Sequence, residues 1–153
     1  MVKKIEEWRS ALTKLAQHPR IEMALRISHD GLDLEQKSIF LDIAHFFKGR
    51  MQDEATGILD CLYGGSVNFD ISTLIDKCLI STANDDLHRD KLEMHDLLQE
   101  MAFNIVRAES KFPGKRSRLC HLPDVVHVLE ENKVKATPIK CRSCICSKVD
   151  VFE

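Results

Sequence analysis

The chain has 153 residues and a formal net charge of −2, a length that suits one real core or one domain with appendages. The slight excess of acid over base argues against bulk electrostatic attraction to nucleic acid or an anionic membrane, and no apolar run reaches the length of a membrane span. The opening Met1-Val2-Lys3-Lys4-Ile5-Glu6-Glu7 turns acidic where a signal peptide needs its apolar stretch, so a cytosolic, reducing setting is expected and a disulfide framework is not.

Residues 3–17 are expected to form a helix with Ile5, Trp8, Leu12 and Leu15 as its seam. His18-Pro19 ends it, because proline disfavours a helical residue before it. A second helix over 20–29 places Ile21, Ala24, Leu25 and Ser28 on one face and Met23 and Ile27 on another, a pattern that predicts a well-buried helix. Asp30-Gly31 is a turn. Asp33 then stands as an N-cap with Gln36 in the capping-box position. The helix it starts, Leu34 to Phe47, is apolar almost all round and belongs at the centre of a core, with Gly49 as its C-cap. Residues 52–62 follow, with Ala55, Ile58, Leu59 and Leu62 in register, and Gly64-Gly65 breaks the pattern. Residues 69–78 repeat it with Ile71, Leu74, Ile75 and Cys78. Cys61 and Cys78 are expected as buried free thiols.

The period then changes. Leu79-Ile80-Ser81-Thr82 favours a strand and Lys91-Leu92-Glu93-Met94 alternates, which predicts a small hairpin with a loop from Ala83 to Asp90. Directly after it, Met94, Leu97, Leu98, Met101, Ala102, Ile105 and Val106 form one stripe of an amphipathic helix. His95 and Asp96 are placed in its first turn, where the aspartate suits the unpaired N–H groups and the helix dipole. His95 lies at the flank of the stripe, neither clearly core nor clearly solvent. Residues 111–119 form a basic loop, residues 123–132 a last short helix, and the tail from Lys133 to Glu153 shows no periodicity and is expected to be disordered. Short helices feeding a hairpin predict a mainly α, winged-helix-like bundle.

Candidate chemistry is sparse. A winged helix suggests DNA binding, but residues 69–78 carry Asp70, Asp76 and a single Lys77, and would present net negative charge to phosphate. Gly114-Lys115-Arg116-Ser117 has the end of a phosphate loop without its beginning, because the required glycine position is Glu109. An exposed basic connector is the expectation there. Cys141, Cys144 and Cys146 could supply three thiolates to zinc, with Cys120 or His121 as a distant fourth ligand. No metal site is assigned on that basis. No nucleophile–base–acid set is visible, so the chain is not expected to be an enzyme. On spacing alone, a satisfied, half-buried imidazole is the ordinary outcome for His95. Phe103, opposite the apolar stripe, is either a lone exposed ring or a contact with another domain.

The residue strings go further. Leu25-Arg26-Ile27-Ser28-His29-Asp30-Gly31-Leu32, Phe40-Leu41-Asp42-Ile43-Ala44-His45-Phe46-Phe47, Leu74-Ile75-Asp76-Lys77-Cys78-Leu79-Ile80, Met94-His95-Asp96 and Pro113-Gly114-Lys115-Arg116-Ser117-Arg118-Leu119 stand in that order. Together they resemble the middle of plant intracellular immune receptors of the TIR–nucleotide-binding–leucine-rich-repeat type, the NB-ARC family. Met94-His95-Asp96 looks like that family's MHD motif, complete. The resemblance covers roughly residues 1–132. It departs from the pattern at His45, where cysteine is usual, and at Cys120, where tryptophan is usual. The phosphate loop, the magnesium-binding strand and the repeats of the family are missing.

The resemblance implies a domain order: residues 1–18 as the last helix of the preceding helical (first ARC) subdomain, 19–110 as the winged-helix (second ARC) domain, 111–132 as a basic linker and short helix toward absent repeats, and 133–153 as a tail. It implies a regulatory module in plant innate immunity that closes over ADP held by a neighbouring nucleotide-binding domain. His95 would reach the β-phosphate, with Met94 and Asp96 as its support. ADP or ATP would be the cofactor of a full-length receptor, with none bound by this chain alone. The implied partners are the nucleotide-binding domain and the repeats, or other receptors of the family, with neither nucleic acid nor membrane. The implied location is the cytoplasm, with the nucleus as an alternative. The expectation is of a fragment that is inactive by itself. The alternatives are a DNA-binding winged helix and a truncated decoy that binds other receptors through the surface containing Phe103.

Overall fold

Pro19 opens the first described helix, α1 (Pro19–Asp30), where its fixed φ and missing N–H suit the first helical turn. The computed structural model describes residues 19–84, 86–130 and 140–141; the helix expected over 3–17 lies outside them. Only one narrow stripe of α1 is covered. Leu25 packs against the core and His29, one turn on, is buried, while Met23 and Ile27 are 62% and 67% exposed. The expectation of a well-buried helix is therefore corrected: the second apolar face has no covering element among the described residues.

The capping box at Asp33 forms as expected. The Asp33 carboxylate accepts from the Gln36 amide at 2.8 Å, and the Asp33 amide donates to Gln36 Oε1 at 3.3 Å. It starts α2 (Leu34–Asp42), which runs into a π-helical turn, Ile43–Phe47. Ile39, Phe40, Ile43, Ala44 and Phe47 are at most 1% exposed, so this segment is the centre of the core. The widened turn shows in the Lys48 amide, which donates to the Ile43 carbonyl at 2.9 Å. Gly49 follows with φ +80°, the left-handed conformation that ends the helix at little steric cost.

Helix α3 (Gln52–Tyr63) buries Ala55, Ile58 and Leu59 and ends at Gly64, φ +69°. Helix α4 (Asn68–Asp76) buries Ile71 and Leu74 completely. Both cysteine expectations are corrected. Cys61 falls beside the buried stripe of α3 and is exposed. Cys78 is exposed too, because α4 ends at Asp76 and the chain turns through Cys78 at φ 57°.

The wing is the antiparallel pair β1 (Ser81–Asn84) and β2 (Asp90–Glu93), with Ser81 opposite Glu93 and Asn84 opposite Asp90. The first strand starts two residues later than expected, because Leu79 and Ile80 are buried below the wing instead of joining it. Every β1 side chain is exposed, and Leu92 is the buried residue of β2. The wing is fastened to the segment after α2. The Gly49 amide donates to the Leu92 carbonyl at 2.7 Å and the Leu92 amide donates to the Arg50 carbonyl at 2.9 Å. Helix α5 (Asp96–Glu109) closes the core with Leu98, Met101, Ala102 and Val106. The architecture is a mainly α, winged-helix-like domain with a small β-hairpin.

The exposed basic connector expected at Gly114-Lys115-Arg116-Ser117 is exposed only in part: Lys115 is exposed, Arg116 and Ser117 are half-buried and Gly114 is buried. A 3-10 turn, Pro113–Lys115, leads to β3 (Arg118–Leu119), and helix α6 (Leu122–Glu130) follows. Arg118 turns inward. Its Nε donates to Asp42 Oδ1 at 2.6 Å, and its terminal nitrogen donates to the Ser38 carbonyl and hydroxyl at 2.9 and 2.8 Å. The Tyr63 hydroxyl donates to Asp42 Oδ2 at 2.6 Å, and burial together with that carboxylate raises the phenol well above its ordinary pKa. Arg116 pairs with Asp124 at 3.1 Å. Of the tail, Lys140–Cys141 forms β4, parallel to β3; the rest lies outside the described residues. Among the described residues no helix is long and apolar enough to cross a membrane.

Candidate functional site

Three segments meet beside His95: the end of β2, the π-helical turn that follows α2, and the first turn of α5. Met94 is 4% exposed, but it is not part of the helix expected to hold it. It continues the alternation of β2, in which Leu92 and Met94 face inward. The helix starts at Asp96, two residues later than the periodicity suggested, because His95 has an extended backbone at φ −61°, ψ 140°.

His95 is the N-cap. Its Nδ1 accepts the Leu97 amide at 3.2 Å, and its carbonyl accepts from the Leu98 and Gln99 amides at 3.0 and 3.1 Å. An imidazole thus does the work usually given to a serine or aspartate oxygen. The residue is exposed. The ambiguity left by its flank position is settled toward solvent, since an N-cap lies outside the helical period. Because Nδ1 accepts, the neutral ring carries its proton on Nε2. The site therefore offers one outward N–H donor at the positive end of a fourteen-residue helix.

Asp96 pairs with Lys48 across 2.7 Å, and Lys48 also donates to Gln99 Oε1 at 3.0 Å. Gln99 Nε2 donates to the Ala44 carbonyl at 2.9 Å. Sequence reasoning singled out Met94, His95 and Asp96 but not Lys48 or Gln99. The nearest signal was their position at the two ends of adjoining helices, which says nothing about pairing.

The other candidates resolve as follows. Phe103 is half-buried, edge-on to His45 with 4.8 Å between ring centres, and Arg107 lies over it at 6.0 Å. With Leu119 and Cys120 they line a crevice between α5 and the β3–α6 segment. The Phe103 ring is thus neither a lone exposed side chain nor fully buried: one edge meets His45 and the rest lines this crevice. His45 donates from Nδ1 to the Leu41 carbonyl at 2.7 Å. Burial holds its pKa down at about 4, against a smaller upward pull from that carbonyl. Helix α4, the groove-entering position of a winged helix, carries Asp70 and the exposed Asp76, and Lys77 follows its end. Asp70 is engaged internally by Gln36 Nε2 at 3.2 Å. Cys120 and His121 follow β3, and Leu119 is the register partner of Cys141. Cys144 and Cys146 lie outside the described residues. Among the described residues no group of three His, Cys, Asp or Glu side chains is arranged to hold a metal ion.

Residues 33–110 match the family described as disease resistance protein Roq1-like, winged-helix domain. The chain is similar to disease resistance protein RUN1 of Vitis rotundifolia, with 42% identity over 125 residues, which is 80% of the chain and 9% of that relative. It is 39% identical over 130 residues to disease resistance protein RPP2A of Arabidopsis thaliana, covering 84% of the chain and 10% of the relative. Against TMV resistance protein N of Nicotiana glutinosa the identity is 35% over 131 residues, covering 84% of the chain and 11% of the relative. The chain spans about a tenth of the length of these relatives.

Proposed function

The chain belongs to the Roq1-like winged-helix domain family of plant disease resistance proteins, and from that premise we propose that it is the regulatory winged-helix module of a nucleotide-dependent immune switch. In this reading His95 contacts a terminal phosphate of ADP held by a neighbouring nucleotide-binding domain, and the contact favours the resting, closed arrangement. The module is non-catalytic, acts in the cytoplasm, and has the other domains of a receptor as its partners.

The observation that supports it is the N-cap geometry of His95. The Leu97 amide occupies Nδ1 and leaves Nε2–H outward on an exposed residue. A phosphate oxygen is a strong acceptor for such a donor, and a helix N-terminus favours an anion. The residues present fit a single contact. They do not make a nucleotide pocket, because a diphosphate carries more charge than one imidazole donor can satisfy and Lys48 is already engaged by Asp96. The remaining donors belong to the neighbouring domain. A ligand that binds the closed arrangement better than the open one shifts the balance by its difference in affinity, and exchange of ADP for ATP would act through that difference.

The test is ADP binding by calorimetry, with the chain alone and mixed with a separately produced nucleotide-binding domain of the same receptor type. The expected result is no binding by the chain alone, tighter ADP binding by the mixture, and loss of that gain with His95→Ala. A mixture no tighter than the nucleotide-binding domain by itself would overturn the reading.

A further inference from the structure

Lys48 touches both Asp96 and Gln99, and Gln99 reaches back to the residue four before Lys48. The origin of this bridge is the π-helical turn. With the Lys48 amide bonded to the Ile43 carbonyl, the next bond of the same pattern would run from the Gly49 amide to the Ala44 carbonyl. Gly49 turns instead to the Leu92 carbonyl of the wing. The Ala44 carbonyl is then met by Gln99 Nε2 from α5. The end of the central helix is thereby tied on one side to the wing and on the other to the first turn of α5. His95 lies on the short path between those two attachments.

We infer that Lys48 and Gln99 are positioning residues for His95, and that Asp96 acts on the histidine by holding Lys48 and not by touching a ligand. This inference rests on the proposed role of His95. The Leu97 amide sets the rotation of the imidazole relative to α5. The Lys48–Gln99–Ala44 bridge sets where the first turn of α5, and with it the Nε2–H donor, stands relative to the wing and the core. Lys48 is 23% exposed and Asp96 77% exposed. An ion pair that open to solvent adds little to folding stability. Its removal is therefore expected to move the donor without unfolding the domain.

The experiment follows the Leu97 amide resonance in the isotope-labelled chain, together with ADP calorimetry of the mixture described above. The variants are Lys48→Glu, Lys48→Arg and the exchange Lys48→Glu with Asp96→Lys. Lys48→Glu is expected to shift the Leu97 resonance and to weaken the gain in ADP affinity about three- to fivefold, the scale of one such pair. Lys48→Arg keeps both, and the exchanged pair recovers part of both. An unchanged Leu97 resonance and full gain in Lys48→Glu overturn the inference, while loss of the gain in His95→Ala leaves the reading of His95 standing. Failure of the exchanged pair to recover the resonance also overturns it, since the effect would then belong to the introduced carboxylate. Should the mixture show no gain even with the unaltered chain, the reading of His95 falls, and the Leu97 resonance still decides whether Lys48 positions that residue.

Discussion

Arg118 donates to Asp42 at 2.6 Å across 76 positions of sequence, and the two side chains are 6% and 0% exposed. The pair fastens the segment after α5 to the central helix, so what the sequence presents as a basic linker is anchored in the core. Ser117 ties the same segment to the end of α5, its amide and hydroxyl both donating to the Glu109 carboxylate at 2.6 and 2.7 Å. Residues 116–119 lie beyond the span that matches the winged-helix family, which ends at residue 110.

Arg118→Met is expected to destabilise the chain by about 3–5 kcal/mol, because it leaves the Asp42 carboxylate buried without its cationic partner. Urea unfolding followed by circular dichroism measures this. An unchanged midpoint would mean that Tyr63 and the other neighbours of Asp42 satisfy it without the arginine. The double change Arg118→Met with Asp42→Leu is expected to recover much of the loss, since a buried pair replaced by apolar groups of suitable volume is often close to neutral.

Stability should fall on acidification between about pH 6.5 and pH 4. His45 is held neutral in the fold with a pKa of about 4, and burial is the main cause. The unfolded chain, with an ordinary imidazole near 6.5, takes up the proton first. The unfolded state therefore binds more protons throughout that window, so the contribution is fully present above pH 6.5 and is lost as the pH drops, by about 3 kcal/mol at most. His29, also lowered by burial, acts in the same direction. Nuclear magnetic resonance titration of the His45 ring separates the two. A His45 that titrates near 6.5 in the folded chain would refute the assignment.

Asp33→Ala removes the side-chain acceptor at the start of the central helix, and the expected loss is about 1 kcal/mol. Thermal unfolding is the check. Asp33→Asn should keep most of the stability, because the amide oxygen can accept the same Gln36 N–H. Equal losses in both variants would mean that the negative charge at the helix start matters more than the hydrogen bond.

In a complete receptor, Asp96→Val is expected to raise resting signalling. The substitution releases Lys48 from its 2.7 Å contact at the first turn of α5, and in the proposed switch this loosens the resting contact made by His95. Resting signalling in plant tissue expressing the variant receptor provides the readout. A level equal to that of the unaltered receptor would count against the switch role.

The winged-helix architecture was legible from short stretches. Asp33 and Gln36 announce the central helix through bonds three residues apart, its all-round apolar run announces its burial, and alternation around Leu92 announces the wing. These are signals of local period and capping, and the backbone obeys them wherever no tertiary contact opposes them. The ordered motifs also carried the family, because each was a contiguous string.

What the tertiary structure decided concerns residues whose partners are far along the chain or whose backbone leaves the local period. Met23 and Ile27 repeat at helical spacing as a core residue would, yet exposure depends on which element arrives to cover them. Arg118 sits in a run of basic residues that reads as solvated, and only the approach of Asp42 and Ser38 makes its burial affordable. His95 leaves the period altogether: as an N-cap its angle to the helical stripe carries no meaning, and its exposure follows from the extended backbone at that one position. The bridge from Lys48 to Asp96 spans 48 positions. Sequence specified the helices, the wing and the motif, because those are set by neighbours within a turn or two. Which charges are buried, and which way the histidine faces, were set by packing between elements, because the energy of a buried or paired charge depends on groups that periodicity does not encode.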